Sequence, residues 1–156
     1  MRSFYHYYGG ANVLGIIIAI ISGALMSIQG IFNTGVTKET SIWVSSSFVQ
    51  FTALIVCLIA WFVTGRESGF LELFHIENKY MLLGGAIGAF ITFTVIKSID
   101  MIGPAKSAMI IVVSQLIIAY IIELFGIFGV EKVEFEYRKL FGVIIVIVGL
   151  ITFKWD

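Results

Sequence analysis

Five stretches of the chain are apolar and long enough, or nearly long enough, to cross a lipid bilayer. A spanning helix needs about 20 mostly apolar residues, because each residue adds about 1.5 Å across a hydrocarbon layer about 30 Å thick. The predicted spans are Val13–Phe32, Ile42–Val63, Tyr80–Ile96, Ala105–Leu124 and Leu140–Phe153. The last is the shortest, so it can cross the bilayer only if the basic residues beside it lie within the membrane and extend their charged ends to the interfaces. We therefore predict an all-α integral membrane protein with five transmembrane helices.

The segments between the predicted spans are short and polar. They are Asn33–Ser41, Thr64–Lys79, Lys97–Pro104 and Phe125–Lys139. None of them is long enough to separate two folded units, so we predict a single transmembrane domain over residues 1–156.

The composition agrees with a membrane protein and excludes nucleic acid as a partner. Hydrophobic residues make up 59% of the chain and charged residues only 13%, whereas about 25% of an ordinary soluble domain is charged. Ten basic and ten acidic residues cancel, and no run of Lys or Arg forms the basic stripe that a phosphate backbone requires. The expected surroundings are the lipid bilayer.

The sequence predicts neither an enzyme nor a cofactor or metal site. Cys57 is the only cysteine, and the two histidines lie outside the predicted spans without metal-ligand spacing. The glycine clusters at 84–85 and 126–129 lack the Lys and the Ser or Thr of a phosphate-binding loop. No candidate nucleophile has a base beside it.

The basic residues give only a weak preference for one orientation in the membrane. With a cytoplasmic N-terminus, the inner side would hold Arg2, Arg66, Lys79, Lys132, Arg138 and Lys139, and the outer side Lys38, Lys97, Lys106 and Lys154. A clear Lys/Arg excess normally fixes orientation, so this near balance favours insertion both ways and an antiparallel, inverted homodimer. The alternatives are one orientation that wins by a modest margin, or an inverted paralogue as the partner. Either antiparallel pair would give a ten-helix bundle like that of transporters built from two inverted repeats.

Amide side chains inside the predicted spans or directly at the end of one are the first candidates for a substrate path. Ser22, Gln29 and Asn33 lie within about 40° of one another on a helix with 3.6 residues per turn. Gln115 lies about 15 Å along its helix from Ala105, which is about half of the hydrocarbon thickness. An amide in hydrocarbon needs partners, so it faces a neighbouring helix or a watered cavity. The three amides therefore either join helices or line a substrate path.

Glu123 is the only charged residue in the stretch "LIIAYIIELFGIFGV". Counted from Ala105, it lies about 27 Å along the fourth helix, close to the far boundary of the hydrocarbon core. A helix shifted toward its C-terminal end would draw the carboxylate further inside, where an ionisable group is a functional candidate. Two interpretations stay open, an interfacial residue and a group that couples transport to a proton or cation.

Several short motifs follow one another in an order and spacing that together are more specific than any single motif. They are "GALMSIQGIFN" with its Gln-x-x-x-Asn pair Gln29 and Asn33, the Ser47-Phe48 pair, "GGAIGAF", Gln115, "ELFG" and "LFGVIIVIVG". In this order they resemble the YdcZ-like family of the drug/metabolite transporter superfamily, small proteins of the bacterial inner membrane. The resemblance implies a multi-pass inner-membrane protein that works as an antiparallel dimer or paralogue pair, and it adds Ser47 to the substrate-path candidates.

The leading functional hypothesis is a secondary transporter or exporter of a small organic solute that works as an antiparallel pair by alternating access. Two alternatives stay open, a passive dual-topology ion channel and a non-transporting membrane subunit that stabilises another complex. A proton-coupled exporter of aromatic cations is less favoured, because the first helix offers Gln29 and Asn33 but no carboxylate.

Overall fold

A computed structural model describes residues 2–66 and 68–154, with side chains from residue 13 to residue 153 outside that gap. Five α-helices follow one another: α1 (Arg2–Glu39), α2 (Ile42–Val63), α3 (Gly84–Ile102), α4 (Pro104–Phe125) and α5 (Tyr137–Lys154). Short 3₁₀ segments occupy Phe70–His75, Lys79–Leu83 and Ile127–Gly129. Within the described ranges the chain forms no β-strand, which confirms the all-α prediction.

Four of the helical segments are long and apolar enough to cross a membrane. They are Val13–Glu39, Ile42–Val63, Lys79–Ile102 and Pro104–Phe125. The fifth helix forms where the fifth span was predicted, but Arg138, Lys139 and Lys154 near its ends shorten its uncharged stretch. Four membrane-length helices are therefore confirmed, and a fifth crossing stays a prediction.

The connection between α1 and α2 is shorter than the sequence suggested. The predicted loop began at Asn33, but the helix continues to Glu39 and leaves only Thr40 and Ser41 outside both helices. The continuation is physically reasonable because the hydroxyls of Thr34 and Thr37 donate to carbonyls four residues earlier in the same helix. Polar residues in this last part of α1 therefore find partners without leaving the helical conformation.

The other helix boundaries have local causes. The Ser41 hydroxyl caps α2 by accepting a hydrogen bond from the Val44 backbone N–H at 3.3 Å. Gly103 has a φ of 83° and precedes Pro104 at the first position of α4, where proline costs no hydrogen bond. Gly126 ends α4 in the left-handed conformation with a φ of 64°, which favours glycine.

The chain divides into two compact units, Met1–Met101 and Ile102–Asp156. In the first unit α1 packs along α2 as an antiparallel hairpin, and α3 contacts the pair through side chains. The Trp43 and Phe93 rings stack with their centroids 4.8 Å apart, and the Ile99 side chain lies over Gly30. In the second unit α4 packs along α5.

Candidate functional site

The side chains that the described part of the chain buries are mostly polar. They are Asn33, Thr34, Ser45, Ser46 and Ser107, whereas the only apolar members are Ile96 and Val113. This pattern reverses that of a soluble protein and suits a membrane, where apolar side chains can face lipid and polar groups need a protein partner. All the buried polar residues except Ser107 lie on α1 or α2, which directs attention to that helix pair.

One backbone carbonyl joins α1 to α2. The carbonyl oxygen of Asn33 accepts a hydrogen bond from the Ser45 hydroxyl at 2.9 Å and another from the Thr37 hydroxyl at 2.8 Å. Ser45 is fully buried and comes from α2, whereas Thr37 lies one turn further along α1. The Ser45 bond therefore fixes how the two helices meet at this level.

A groove of about 540 Å³ runs along α1 and α2 from this junction. Its lining residues are Gln29, Phe32, Asn33, Val36, Ser45, Phe48, Val49, Thr52, Ala53, Val56 and Cys57. We call it the α1–α2 groove. Its polar end holds two amides and a hydroxyl near the connection between the helices, and its apolar end extends along α2 to Cys57. Because α2 rises about 1.5 Å per residue, Cys57 lies about 18 Å along the helix from Ser45.

The two amide side chains of the groove have unused hydrogen-bonding capacity. Asn33 is only 8% exposed, while Gln29 is exposed to the groove one turn earlier. Among the described residues neither amide has a hydrogen-bond partner in the protein. Each amide can donate two hydrogen bonds and accept at its oxygen, and the Asn33 amide atoms are not among the fully enclosed unpaired atoms of the described residues, so they remain accessible from the groove. The Asn33 amide is therefore available to a bound molecule.

The other substrate-path candidates are not part of this groove. Ser47 is exposed on α2, although it directly follows the buried Ser45 and Ser46. Gln115 is exposed on α4 and belongs to the second unit. The structure brings Gln29 and Asn33 together with Ser45, a residue near the start of α2 that was not among the sequence-based candidates.

Glu123 lies at a second, smaller pocket, between α4 and α5. This pocket measures about 430 Å³, and its lining residues are Leu116, Ala119, Tyr120, Glu123, Lys139, Gly142, Val143 and Val146. Glu123 is half-buried two residues before α4 ends at Phe125. Within the described ranges its carboxylate has neither an ion pair nor a hydrogen bond.

The Lys139 ammonium of this pocket interacts with groups other than Glu123. The Lys139 ammonium lies 3.6 Å from a carboxylate oxygen of Glu136 and 5.5 Å from the centre of the Tyr120 ring. The Tyr120 hydroxyl in turn accepts a hydrogen bond from the Glu136 backbone N–H at 3.1 Å. Lys139 and Glu136 neutralise each other, so Glu123 supplies the unpaired charge of the pocket.

Comparison with known proteins identifies one family and one relative. The model of the family described as "Putative inner membrane exporter, YdcZ" matches residues 14–152. The protein described as "Inner membrane protein YdcZ" of Escherichia coli (strain K12) is 27% identical over 138 residues, which cover 87% of this chain and 89% of that protein. No solved structure matches.

Proposed function

The chain belongs to the YdcZ family of inner-membrane exporters, and from this premise we propose that it is a secondary exporter of a small organic solute whose path includes the α1–α2 groove. As a family member with four membrane-length helices, it is a multi-pass protein of the inner membrane. The family is one of exporters and not of enzymes. The observation that carries the proposal is Asn33, a largely buried residue of the groove lining whose amide is accessible and has no hydrogen-bond partner among the described residues.

Asn33 suits a transport path because of the kind of interaction that it offers. An amide hydrogen bond contributes about 0.5–1.5 kcal/mol net, which orients a solute without holding it too tightly to leave. Gln29 lies one turn away on the same side of α1 and can continue the path. Gln115 on α4 and Ser47 on α2 are the further polar candidates that such a path would use.

An antiparallel dimer is the assembly that this proposal favours. In each of the four membrane-length segments an apolar window of 18 residues has at most 6% of its residues buried, so each helix offers a large surface to another polypeptide as well as to lipid. Two inverted copies, or one copy with an inverted paralogue, would place two grooves around a pseudo-two-fold axis. Rocking of one copy against the other would then give alternating access.

Glu123 is the candidate for coupling transport to a proton or cation. Its carboxylate lies in a pocket whose other charged group, Lys139, is paired with Glu136. The remaining titratable group there is the Tyr120 phenol. A carboxylate in such a position can take up a proton or a cation on one side of the membrane and release it on the other.

Transport by purified protein in liposomes is the direct test. The liposomes are loaded with an isotope-labelled small-molecule extract of bacterial cells, and the solutes that leave are identified by mass spectrometry. We expect one solute class to leave faster than from protein-free liposomes, with a rate that saturates and responds to an ion gradient. Asn33→Leu should slow this release about tenfold, because losing one hydrogen bond costs about 1.4 kcal/mol.

A matched variant separates a groove effect from a general loss of a polar side chain. Thr94 is exposed on α3, outside the groove, and its hydroxyl donates only to carbonyls of its own helix. Thr94→Val should therefore leave release unchanged. Release that neither saturates nor responds to any gradient would indicate that the protein is a passive channel and not a secondary exporter. No release above that of protein-free liposomes would favour a non-transporting subunit.

A further inference from the structure

We infer that the α1–α2 groove selects an electrically neutral, amphipathic solute whose polar end carries both a hydrogen-bond donor and an acceptor, as in a carboxamide. This inference rests on the proposed function and names the class of solute. It is carried by three features of the groove: the lack of charge in its lining, the division between a polar and an apolar end, and the unpaired state of its amides.

The first feature concerns charge. Among the residues that the structure describes, the lining contains no Asp, Glu, Lys, Arg or His. The nearest charged residues in sequence, Lys38 and Glu39 at the end of α1, are not part of it. An ion that enters such a site loses hydration and meets no opposite charge, which costs several kcal/mol. A neutral solute has no charge to desolvate, so the groove discriminates against both anions and cations.

The second feature is the separation of polar from apolar lining. The end with Gln29, Asn33 and Ser45 is mixed, since Phe32, Val36 and Phe48 line it too, whereas the lining residues after Thr52 are the apolar Ala53, Val56 and Cys57. The only hydroxyl between them, that of Thr52, donates to the carbonyls of Phe48 and Val49 in its own helix. A solute that fits this division has one polar end and an apolar body.

The third feature defines the polar end of the solute. The backbone carbonyl of Asn33 already accepts from two hydroxyls, so the group left for a ligand is the side-chain amide. An amide offers donors and an acceptor side by side. A carboxamide on the solute can satisfy both at once through a pair of hydrogen bonds. A solute with only donors or only acceptors would cover one of the Asn33 amide groups without pairing it, at a cost of about 1–3 kcal/mol.

Three probes of nearly the same shape and different charge test the inference. They are benzamide, which is neutral, benzoate, which is an anion, and benzamidinium, which is a cation. Thermal unfolding of the purified protein in detergent is measured against increasing concentrations of each, since a ligand that binds only the folded protein raises the melting temperature. We expect benzamide to raise it and the two ions to leave it unchanged.

Two variants of groove residues and one control outside the groove test whether benzamide binds there. Asn33→Leu should weaken benzamide binding about tenfold, whereas Thr94→Val should leave it unchanged. Gln29→Glu places a carboxyl group in the same groove, at a position exposed to it, and it should shift the preference from benzamide to benzamidinium. If Asn33→Leu does not fold, the Gln29→Glu shift tests the site on its own.

The outcomes separate this inference from the proposed function. Protection of the wild-type protein by benzoate or benzamidinium, lost in Asn33→Leu, would overturn neutral selectivity and leave export intact. The absence of protection by benzamide, in a protein whose release of solute depends on Asn33, would also overturn it. Protection by benzamide with no release from liposomes would support the site and refute the exporter.

Discussion

Two adjacent serines in α2 should respond to the same substitution with opposite signs. Ser45 and Ser46 are both buried, at 0% and 5% exposure. The Ser45 hydroxyl donates to the Asn33 carbonyl across the helix pair, whereas the Ser46 hydroxyl is buried with no hydrogen-bond partner. Ser45→Ala removes an interhelical bond, and Ser46→Ala removes an unpaired polar group. The first variant should lose stability, and the second should keep it or gain some.

The magnitudes follow from the partners that remain. Interhelical hydrogen bonds in membrane proteins contribute about 0.6 kcal/mol on average and at most about 1.7 kcal/mol. In Ser45→Ala the Asn33 carbonyl keeps the Thr37 hydroxyl at 2.8 Å, so no acceptor is orphaned and the loss should be about 0.5–1.5 kcal/mol. Ser46→Ala removes a desolvated hydroxyl and replaces Ser by a better helix former, so we expect a gain of up to about 1 kcal/mol.

The free energy of unfolding is measured by titrating the purified protein from detergent micelles into dodecyl sulfate and following its helical circular dichroism. The double variant Ser45→Ala with Thr37→Val adds a further check, because the carbonyl then loses both hydroxyls. Its destabilisation should exceed the sum of the two single effects. Equal losses in Ser45→Ala and Ser46→Ala would refute the assignment of a specific bond at this position.

Three further predictions concern helix packing, ion coupling and orientation. Gly30→Val should destabilise the protein by about 1–3 kcal/mol, because a Cβ there would lie 2.6 Å from the Ile99 side chain. Gly23→Val is the control in the same unfolding assay. It should have little effect, because a Cβ there meets no atom within 4 Å beyond the backbone of its own helix. Glu123→Gln should abolish the dependence of solute release on pH while the protein stays folded, and an unchanged dependence would leave Glu123 an interfacial residue. In a Cys57→Ala background, a cysteine at Glu77 should react with membrane-impermeant reagents from both sides of the membrane, and labelling from one side alone would exclude dual insertion.

The apolar runs predicted the helices well because period and length are local properties of the sequence. Four membrane-length helices follow from them directly. The predicted end of the first helix was wrong. The polar residues after Phe32 have the composition of a loop, but the hydroxyls of Thr34 and Thr37 form hydrogen bonds within α1. Polarity alone does not decide between a loop and a helix whose polar residues are satisfied internally.

Part of the lining of the α1–α2 groove could be found from the sequence, whereas its role as a site stays a prediction. Gln29 and Asn33 could be found because they share one side of one helix. Ser45 could not be chosen over its neighbour Ser47, since that choice depends on how α2 is turned toward α1. The connection at Thr40 and Ser41 does not supply this choice. Residues at equal distances from a turn between positions 40 and 41 would set position 33 opposite position 48, so the pairing of Asn33 with Ser45 depends on how the two helices are turned and inclined at their ends.

The Ser45–Asn33 bond connects stability to the proposed selectivity, and this connection can be tested. Lipid offers helices no hydrophobic drive to associate, so the polar end of the groove depends on the hydrogen bond by which the Ser45 hydroxyl joins α2 to α1. Ser45→Ala removes this bond and leaves every amide of the groove in place. If the bond positions the Asn33 amide, this variant should weaken benzamide binding several-fold even at temperatures where the protein is fully folded. Ser46→Ala, which alters the next residue of the same helix, should not. Unchanged benzamide affinity in a destabilised Ser45→Ala would show that the bond holds the helices together without positioning the amide.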